Sequence, residues 1–321
     1  MKAAFRTTYG NSSVLSIKEL DTPIPKSHEV LIRVHAATVN RTDCHVLWGK
    51  PPFMRLLTGL RRPKLATTGC DFAGKIVAVG EKVTSFKTGD RIMGFGGVLG
   101  CGSHAEFLLL SEAKALKSIV SCPEELSYED AAACIEGAFY AQSGIRYLNP
   151  KAGQKALVIG ATGAIGSATV QLLKSYGVNV TAVCKGENAQ LVKSIGAEKV
   201  IDYEKQDFAN EDDQFDFIFD SVGVTRFGKC KHLLTEKGVF TSSGGDMNHI
   251  WMALITPLRG GKKVMFRAPG NVPDGLNFIK EEITKGKFKP VIDRKYPLDK
   301  IAEAFDYVGK RQKIGNVVLT M

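Results

Sequence analysis

The sequence predicts an α/β protein in which a doubly wound parallel sheet accompanies a second, β-rich domain. Two observations support this prediction. Residues 155–185 read as a strand, a glycine turn, a helix and a second strand. In addition, short strand-like runs fill the first third of the chain, whereas helical and strand patterns alternate after Ser127. Alternation of this kind is typical of parallel sheets covered by helices.

The glycine turn is the strongest local signal. An apolar run over 156–159 meets glycines at 160, 163 and 166, and a second apolar run over 178–183 follows the helical stretch. Such a turn points backbone N–H groups and the positive end of a helix dipole at a pyrophosphate. We therefore expect a dinucleotide cofactor at Gly160, Ala161, Thr162, Gly163, Ala164, Ile165 and Gly166.

Further elements follow in a regular order. Strand-like runs cover 2–5, 15–19, 30–36, 74–79 and 91–94; a small-residue helix runs from Ser127 to about Tyr147; and strands at 199–201, 215–220, 238–242 and 262–266 complete a six-stranded sheet. The tail predicts two helices and a last strand, 316–320. We expect the chain to pass from the first domain to the second near Pro123 and to return near Pro269. These positions give a catalytic domain of residues 1–122 and 270–321 and a dinucleotide-binding domain of residues 123–269.

Bulk properties exclude several classes of protein. The 321 residues carry a formal charge of +10, yet no nucleic-acid-binding signature accompanies the basic residues, so we expect no nucleic-acid partner. No apolar run is long enough to span a bilayer, and the N-terminal residues do not resemble a signal peptide. Seven scattered cysteines without a Cys-x-x-Cys pair favour a reduced, cytoplasmic protein.

In these motifs the chain resembles the medium-chain dehydrogenase/reductase superfamily, in its quinone-oxidoreductase-like branch. The resemblance rests on segments 37–43, 69–80, 88–91, 104–107, the glycine turn, 220–223 and 315–319, and covers nearly the whole chain. It implies a GroES-like β-barrel catalytic domain, a Rossmann domain and a nicotinamide cofactor. It also implies a homodimer formed through the strand at 262–266.

Zinc-dependent members of this superfamily hold zinc through a Cys, a His and a second Cys. The matching positions here are Asn40, Cys70 and Ile135, and zinc disfavours amide and aliphatic side chains. The cysteine-rich structural zinc lobe is also missing. A metal site built from Cys44, His45, Cys70, Cys101 and His104 fits no zinc spacing, so we expect no metal.

The segment from Asn40 to His45 nevertheless resembles that of the zinc enzymes in every residue except the first. The resemblance gives Arg41 a pyrophosphate contact, and Thr42 and His45 a proton relay. We expect the Asn40 amide, the Thr42 hydroxyl or both to polarise a carbonyl oxygen in place of zinc. The alternative for Thr42 is a helix cap, and for His45 a surface position.

Cofactor choice depends on the end of the second strand of the parallel sheet. Lys185 stands where an NAD-preferring site has an acid, which favours NADPH and its 2′-phosphate over NADH. The alternative is a solvated Lys185, with Glu187 on the ribose. By resemblance, Ser221, Val222, Ser242 and Gly244 also contact the cofactor, and Lys313 is a weaker candidate.

Residues 48–63 form an apolar and basic stretch without the tyrosine that enoyl reductases of the superfamily use as a proton donor. This stretch covers a large apolar pocket, lies on a membrane surface, or forms an ordinary packed lid, and the packed lid is favoured.

The function predicted is a zinc-independent, NADPH-dependent reductase of a small molecule. Hydride passes to a quinone, an enone or enal, or another activated carbonyl. Two alternatives stay open, a non-catalytic NADPH-binding sensor or membrane-associated regulator, and a zinc-type alcohol dehydrogenase.

Overall fold

The structure is a computed structural model that describes residues 1–97, 99–244, 247–266 and 270–321. The predicted return between domains near Pro269 lies outside the described residues. Within them, no helix has the length and apolar character needed to cross a membrane.

Strands and helices alternate much as the sequence predicts. The strands of the described part are β1 (Lys2–Phe5), β2 (Ser16–Glu19), β3 (Glu29–Val39), β4 (Asp71–Val79), β5 (Arg91–Phe95), β6 (Phe107–Ser111), β7 (Ile119–Ser121), β8 (Lys155–Ile159), β9 (Asn179–Cys184), β10 (Lys199–Asp202), β11 (Phe215–Asp220), β12 (Leu234–Ser242), β13 (Lys263–Met265), β14 (Ile292–Pro297) and β15 (Asn316–Thr320). The helices are α1 (Arg41–Trp48), α2 (Phe53–Thr58), α3 (Glu112–Ala115), α4 (Tyr128–Ala133), α5 (Glu136–Ile145), α6 (Ala164–Ser175), α7 (Ala189–Ser194), α8 (Phe227–Cys230), α9 (Met247–Ile255), α10 (Val272–Thr284) and α11 (Ile301–Gly309).

The chain divides into two compact units. The first comprises Met1–Glu136, Asn271–Glu281 and Lys289–Met321; the second comprises Gly137–Gly270 and Glu282–Phe288. The first unit therefore extends beyond the boundary expected after residue 122. The reason is packing, because α4 lies against β3, β4 and β15 of the first unit.

The first unit is built on a mainly antiparallel sheet. Among the described residues its order is β14-β15-β3-β4-β5-β7, with β6 also paired to β3. Phe72, Ile32 and Ile76 are fully buried in its core, as alternating apolar positions on β3 and β4 require. Strand β14 was missed by the sequence analysis, because its charged residues lack the apolar pattern of a buried strand.

The predicted helix from Ser127 to Tyr147 is wrong in one respect, since two helices replace it. Helix α4 ends at Ala133, and Cys134 caps it with an N–H that returns to the carbonyls of its last turn. Helix α5 then begins at Glu136. The break matters because it turns the Glu136 side chain towards α1.

The second unit confirms the predicted doubly wound sheet. The described strands run β10-β9-β8-β11-β12-β13, and every pair is parallel. Leu157, Ile218 and Phe240 form part of a continuous apolar core on this sheet. Parallel strands buried on both faces read as unbroken apolar runs, which is why the sequence revealed them.

The turn between β8 and α6 depends on its glycines. Gly160 has a φ of +74°, which side chains with a Cβ rarely adopt. A Cβ on Gly166 would overlap the carbonyl oxygen of Gly160, whereas a Cβ on Gly163 would meet that same oxygen at 3.6 Å, an ordinary contact. The close approach of helix to strand therefore requires glycine at 166 but not at 163.

We predict that Gly166→Ala lowers the free energy of unfolding by about 1–3 kcal/mol, because the added methyl group forces the backbone apart. Gly163→Ala is the matched control, and a less favourable helix cap should cost it less than about 1 kcal/mol. Chemical denaturation of both variants measures the difference. Equal losses of unfolding free energy in the two variants would contradict the close contact between Gly166 and the Gly160 carbonyl.

Candidate active site

A network of buried polar side chains lies where β3 ends and β4 begins. Because the two strands are antiparallel, Thr38 near the end of β3 faces Asp71 at the start of β4. The Asp71 carboxylate accepts hydrogen bonds from the Thr38 N–H at 2.8 Å, the Thr38 hydroxyl at 2.5 Å and the Asn40 amide at 3.4 Å. Burial raises the pKa of Asp71 to about 8.

Both ends of the Asn40 amide are engaged in this network. Its Nδ2 donates to the Thr38 hydroxyl at 2.6 Å, and its Oδ1 accepts from Lys313 Nζ at 3.5 Å. Lys313 also donates to the Gly315 carbonyl, and burial lowers the pKa of its ammonium to about 8. The structure thus places Lys313 beside Asn40 in the first unit, and the amide suggested as a carbonyl polariser already has partners.

Thr42 contacts a residue that the sequence analysis missed. It lies in the first turn of α1, and its hydroxyl donates to Glu136 Oε1 at 2.5 Å. Glu136 is 5% exposed, and burial, with Asp43 and Asp71 nearby, raises its pKa well above the usual range of a glutamate. A carboxyl in this setting holds its proton at pH values where an exposed one has lost it.

Three potential ligand atoms come together at this point. A carboxylate oxygen of Asp43, the sulfur of Cys70 and a carboxylate oxygen of Glu136 lie within 4.8 Å of one another, all buried. Burial, with the Asp43 and Glu136 carboxyls nearby, raises the pKa of the Cys70 thiol well above that of a free thiol. Asp43 Oδ1 and Glu136 Oε2 have no hydrogen-bond partner in the described part of the structure. A proton or a cation would neutralise these oxygens.

The zinc ligands of the superfamily fit this chain poorly. At the first position, the Asn40 amide is bound within the protein. At the third, Ile135 is a fully buried aliphatic side chain, and its neighbour Glu136 faces Cys70 instead. Of the three matching positions, Cys70 alone carries a side chain of a type that zinc binds.

The other cysteines and histidines considered as metal ligands are hydrogen-bonded within the protein or buried. The two ring nitrogens of His104 lie 2.8 Å from the Thr68 hydroxyl and 2.9 Å from the Thr38 carbonyl. Cys44 is buried, and burial raises its thiol pKa to about 12. Cys101 lies 3.7 Å from the Cys70 carbonyl oxygen, and its pKa is also raised to about 12.

Arg41 and His45 share a second face of α1 with Trp48. The Arg41 guanidinium lies 4.7 Å from the Trp48 ring centre and donates to the Gly309 carbonyl at 3.3 Å. The His45 ring is 6.0 Å from that of Trp48. Burial and the charges of Arg41 and Arg311 lower the pKa of His45, so its ring is neutral at pH 7.

The second unit carries the predicted dinucleotide turn. Gly160, Ala161, Thr162 and Gly163 connect β8 to α6, and Ala164, Ile165 and Gly166 form its first turn. Gly163 is the N-cap and has extended backbone, so the N–H groups of the first turn are directed out of the helix end. Small residues and free N–H groups at this end fit a pyrophosphate.

The loops after β11 and β12 lie beside this turn. Asp220 ends β11, is buried, and accepts from the N–H groups of Val222, Gly223 and Thr225 at 2.8–3.1 Å. A Cβ on Gly160 would overlap the Val222 side chain, so the two turns are in contact. Ser221 and Val222, together with Ser242 and Gly244, therefore line the carboxyl ends of adjacent strands.

Lys185 directly follows β9, at the same edge of the sheet. Its ammonium is 3.1 Å from Glu204 Oε1 and roughly half exposed. This ion pair and the nearby Tyr203 raise its pKa. Tyr203, whose N–H donates to the Cys184 carbonyl, is a second residue at this corner that the sequence analysis missed.

Comparisons with known proteins agree with this architecture. Residues 26–121 match the family model of the alcohol dehydrogenase GroES-like domain, and residues 195–319 match that of zinc-binding dehydrogenases. The chain is similar to a solved quinone oxidoreductase from Coxiella burnetii, with a TM-score of 0.87, 23% identity, and 100% and 99% of the two chains covered.

Three curated relatives align over nearly the whole chain. A 2-methylene-furan-3-one reductase from Solanum lycopersicum is 32% identical over 99% of this chain and 79% of its own length. An NADPH-dependent alkenal/one oxidoreductase from Arabidopsis thaliana is 30% identical with the same coverage, and a quinone oxidoreductase from Mus musculus is 30% identical over 100% and 98%. The chain therefore belongs to the medium-chain dehydrogenase/reductase superfamily, in its quinone-oxidoreductase-like branch of NAD(P)H oxidoreductases.

Proposed function

We propose that the protein is a zinc-independent, NADPH-dependent reductase of activated carbonyl compounds, namely quinones, enones and enals. The observation that carries this proposal is the hydrogen bond between the Thr42 hydroxyl and the buried Glu136 carboxyl. It supplies a proton path next to a site whose first metal-ligand position is an amide. The names of the relatives, which include alkenal/one and quinone oxidoreductases, support the same acceptor class.

The residues of the second unit fit a nicotinamide dinucleotide. The N–H groups at the start of α6 bind the pyrophosphate, and the loops at Val222 and Gly244 border the same strand ends. The bound nicotinamide supplies the hydride. Lys185 binds the 2′-phosphate of NADPH, for which its charge and exposure suit it, and Tyr203 offers a phenol at the same corner.

Residues of the first unit supply the proton that completes the product. When Glu136 is protonated, its carboxyl donates to Thr42 Oγ1 and the Thr42 hydroxyl proton is free to point at the substrate. After hydride reaches carbon, the substrate oxygen carries negative charge and takes that proton. Thr42 is reprotonated by Glu136, which is left as a carboxylate until solvent returns a proton. Asn40 and Lys313 act as positioning residues, since they fix the end of β3 and place a positive charge near Glu136.

The class of acceptor follows from how strongly the polar side chains of the site can stabilise negative charge on the substrate oxygen. A hydroxyl and an ammonium stabilise a developing oxyanion less than a zinc ion does. Reduction is therefore efficient only for acceptors that are already electron-poor. Plain alcohol oxidation, as in the zinc enzymes, is not expected.

Assembly and location are also inferred. Strand β13 pairs with β12 and has no second neighbour among the described strands, and Trp251, Leu254 and Leu258 are exposed nearby. We infer a homodimer that pairs β13 with its copy. We also infer a cytoplasmic protein, because its seven cysteines are unpaired.

The proposed activity is tested by following NADPH consumption with a panel of quinones, 2-alkenals and saturated aldehydes, and NADP⁺ reduction with simple alcohols. We expect turnover with quinones or alkenals and none with alcohols. Binding of NADPH without turnover of any acceptor would favour the sensor alternative, and alcohol oxidation would favour the zinc-type alternative. Either result would refute the proposal.

We predict that Lys185→Glu lowers kcat/KM for NADPH by about tenfold or more, because a hydrogen bond to a charged group contributes about 1.5–3 kcal/mol. The value for NADH should change little. Lys237→Glu, an exposed position on β12, is the charge-matched control. An unchanged preference between NADPH and NADH in Lys185→Glu would remove Lys185 from the site.

We predict that Thr42→Val lowers kcat by about a hundredfold or more, the usual contribution of a positioned acid, while Thr42→Ser retains activity. The wild-type rate should fall as pH rises through the elevated pKa of Glu136, because the carboxyl loses the proton that it delivers. Glu136→Gln keeps the size of the side chain but should abolish this arm of the pH profile, unlike the exposed control Glu236→Gln. A variant profile that matches the wild type would contradict the relay.

A further inference from the structure

The segment around α2 has an unusual charge pattern. Between Asp43 and Asp71 the sequence contains no acidic residue. Within the same interval lie five cationic side chains, all exposed: Lys50, Arg55, Arg61, Arg62 and Lys64. We call residues 50–65 the basic segment.

Four apolar side chains of the basic segment are exposed. Met54 and Thr58 are the buried residues of α2. In contrast, Phe53 is 55% exposed, Leu56 67%, Leu57 47% and Leu60 67%. An ordinary packed lid, which the sequence favours, would bury these side chains, so their exposures contradict that interpretation. Contiguous apolar patches of this kind on soluble proteins mark interaction sites.

Contacts within the first unit hold the segment in this orientation. The Tyr9 hydroxyl lies 2.8 Å from the Thr58 hydroxyl and donates to the Gly59 carbonyl at 2.6 Å. The Arg55 guanidinium lies over the Tyr9 ring at 4.9 Å. The exposed Leu56 and Leu57 therefore lie on a short helix that contacts with Tyr9 hold in place.

The patch continues onto a neighbouring loop. Leu65 and Leu99 are each 44% exposed, and both line one cavity with Leu57 and Lys64. This cavity has a volume of about 320 Å³ and also reaches Cys70. Exposed apolar side chains and cations thus surround a cavity that leads towards the buried acids.

We propose that the basic segment docks peripherally on an anionic lipid bilayer, with Phe53, Leu56, Leu57 and Leu60 entering the headgroup region. The argument for this occupant is charge complementarity. An apolar face on a segment that carries lysine and arginine but no acidic residue matches a surface of acidic headgroups over acyl chains. A second copy of this chain would bring two such clusters of like charge together, which disfavours self-association through this face.

The test is sedimentation with vesicles of phosphatidylcholine alone or with about one-third phosphatidylserine, a composition in which basic segments gain attraction. We expect binding to the anionic vesicles at low salt, at least tenfold weaker binding to neutral ones, and release by salt. Leu56→Ser with Leu57→Ser should lower binding by about tenfold or more, and Arg61→Glu with Arg62→Glu should abolish its salt dependence.

Two matched controls separate docking from general effects. Leu116→Ser removes a leucine that is 52% exposed elsewhere in the first unit, and Lys82→Glu with Lys87→Glu reverses two exposed charges there. Both should bind as the wild type does. Because the altered residues are exposed, thermal unfolding should stay unchanged in every variant.

Three results would overturn the proposal. The first is the absence of sedimentation at low salt. The second is binding that survives both basic-segment variants. The third is a change of oligomeric state in Leu56→Ser with Leu57→Ser, measured by analytical ultracentrifugation, which would assign the face to a second copy. None depends on NADPH turnover, so failure here and failure of the proposed reductase activity are distinguishable.

Discussion

The burial of three carboxyl groups, Asp43, Asp71 and Glu136, with fewer buried cations beside them is the constraint on which the rest of the site depends. Asp71 and Glu136 are buried near the Lys313 ammonium, and Asp43 is buried near the Arg6 guanidinium. Full ionisation of the three acids would leave uncompensated charge in a region from which water is largely excluded, at a cost of several kcal/mol per ion. The acids must therefore retain protons or hold a cation.

We propose that the acids retain protons, and the site can then deliver a proton to a substrate. Burial raises the pKa of the Cys70 thiol, and the Asn40 amide is held by Thr38 and Lys313. The proton donor that we propose for the substrate is the Thr42 hydroxyl, backed by Glu136, whose raised pKa favours its protonated form. A site of this kind delivers a proton readily but polarises a carbonyl weakly, so the electron demand must come from the acceptor itself.

Much of the fold could be predicted from the sequence, because its signals are local. The glycines at 160 and 166 are required by backbone conformation and close approach, and buried parallel strands are unbroken apolar runs. Glu136 escaped prediction because a break after Cys134 redirects its side chain, and nothing in the run of small residues marks that break. The Asn40 amide is hydrogen-bonded to Lys313, and the orientation that exposes Leu56 depends on contacts with Tyr9. Both partners are distant in the sequence, so no local pattern reveals these contacts.

The measurement that tests this account most directly is the metal content of the purified, active protein, compared with its activity before and after treatment with a chelator. We expect zinc and other transition metals far below one ion per chain, and NADPH-dependent reduction that the chelator does not affect. One zinc ion per chain, whose removal abolishes activity and whose return restores it, would contradict the account. Such a result would assign Asp43, Cys70 and Glu136 to a metal.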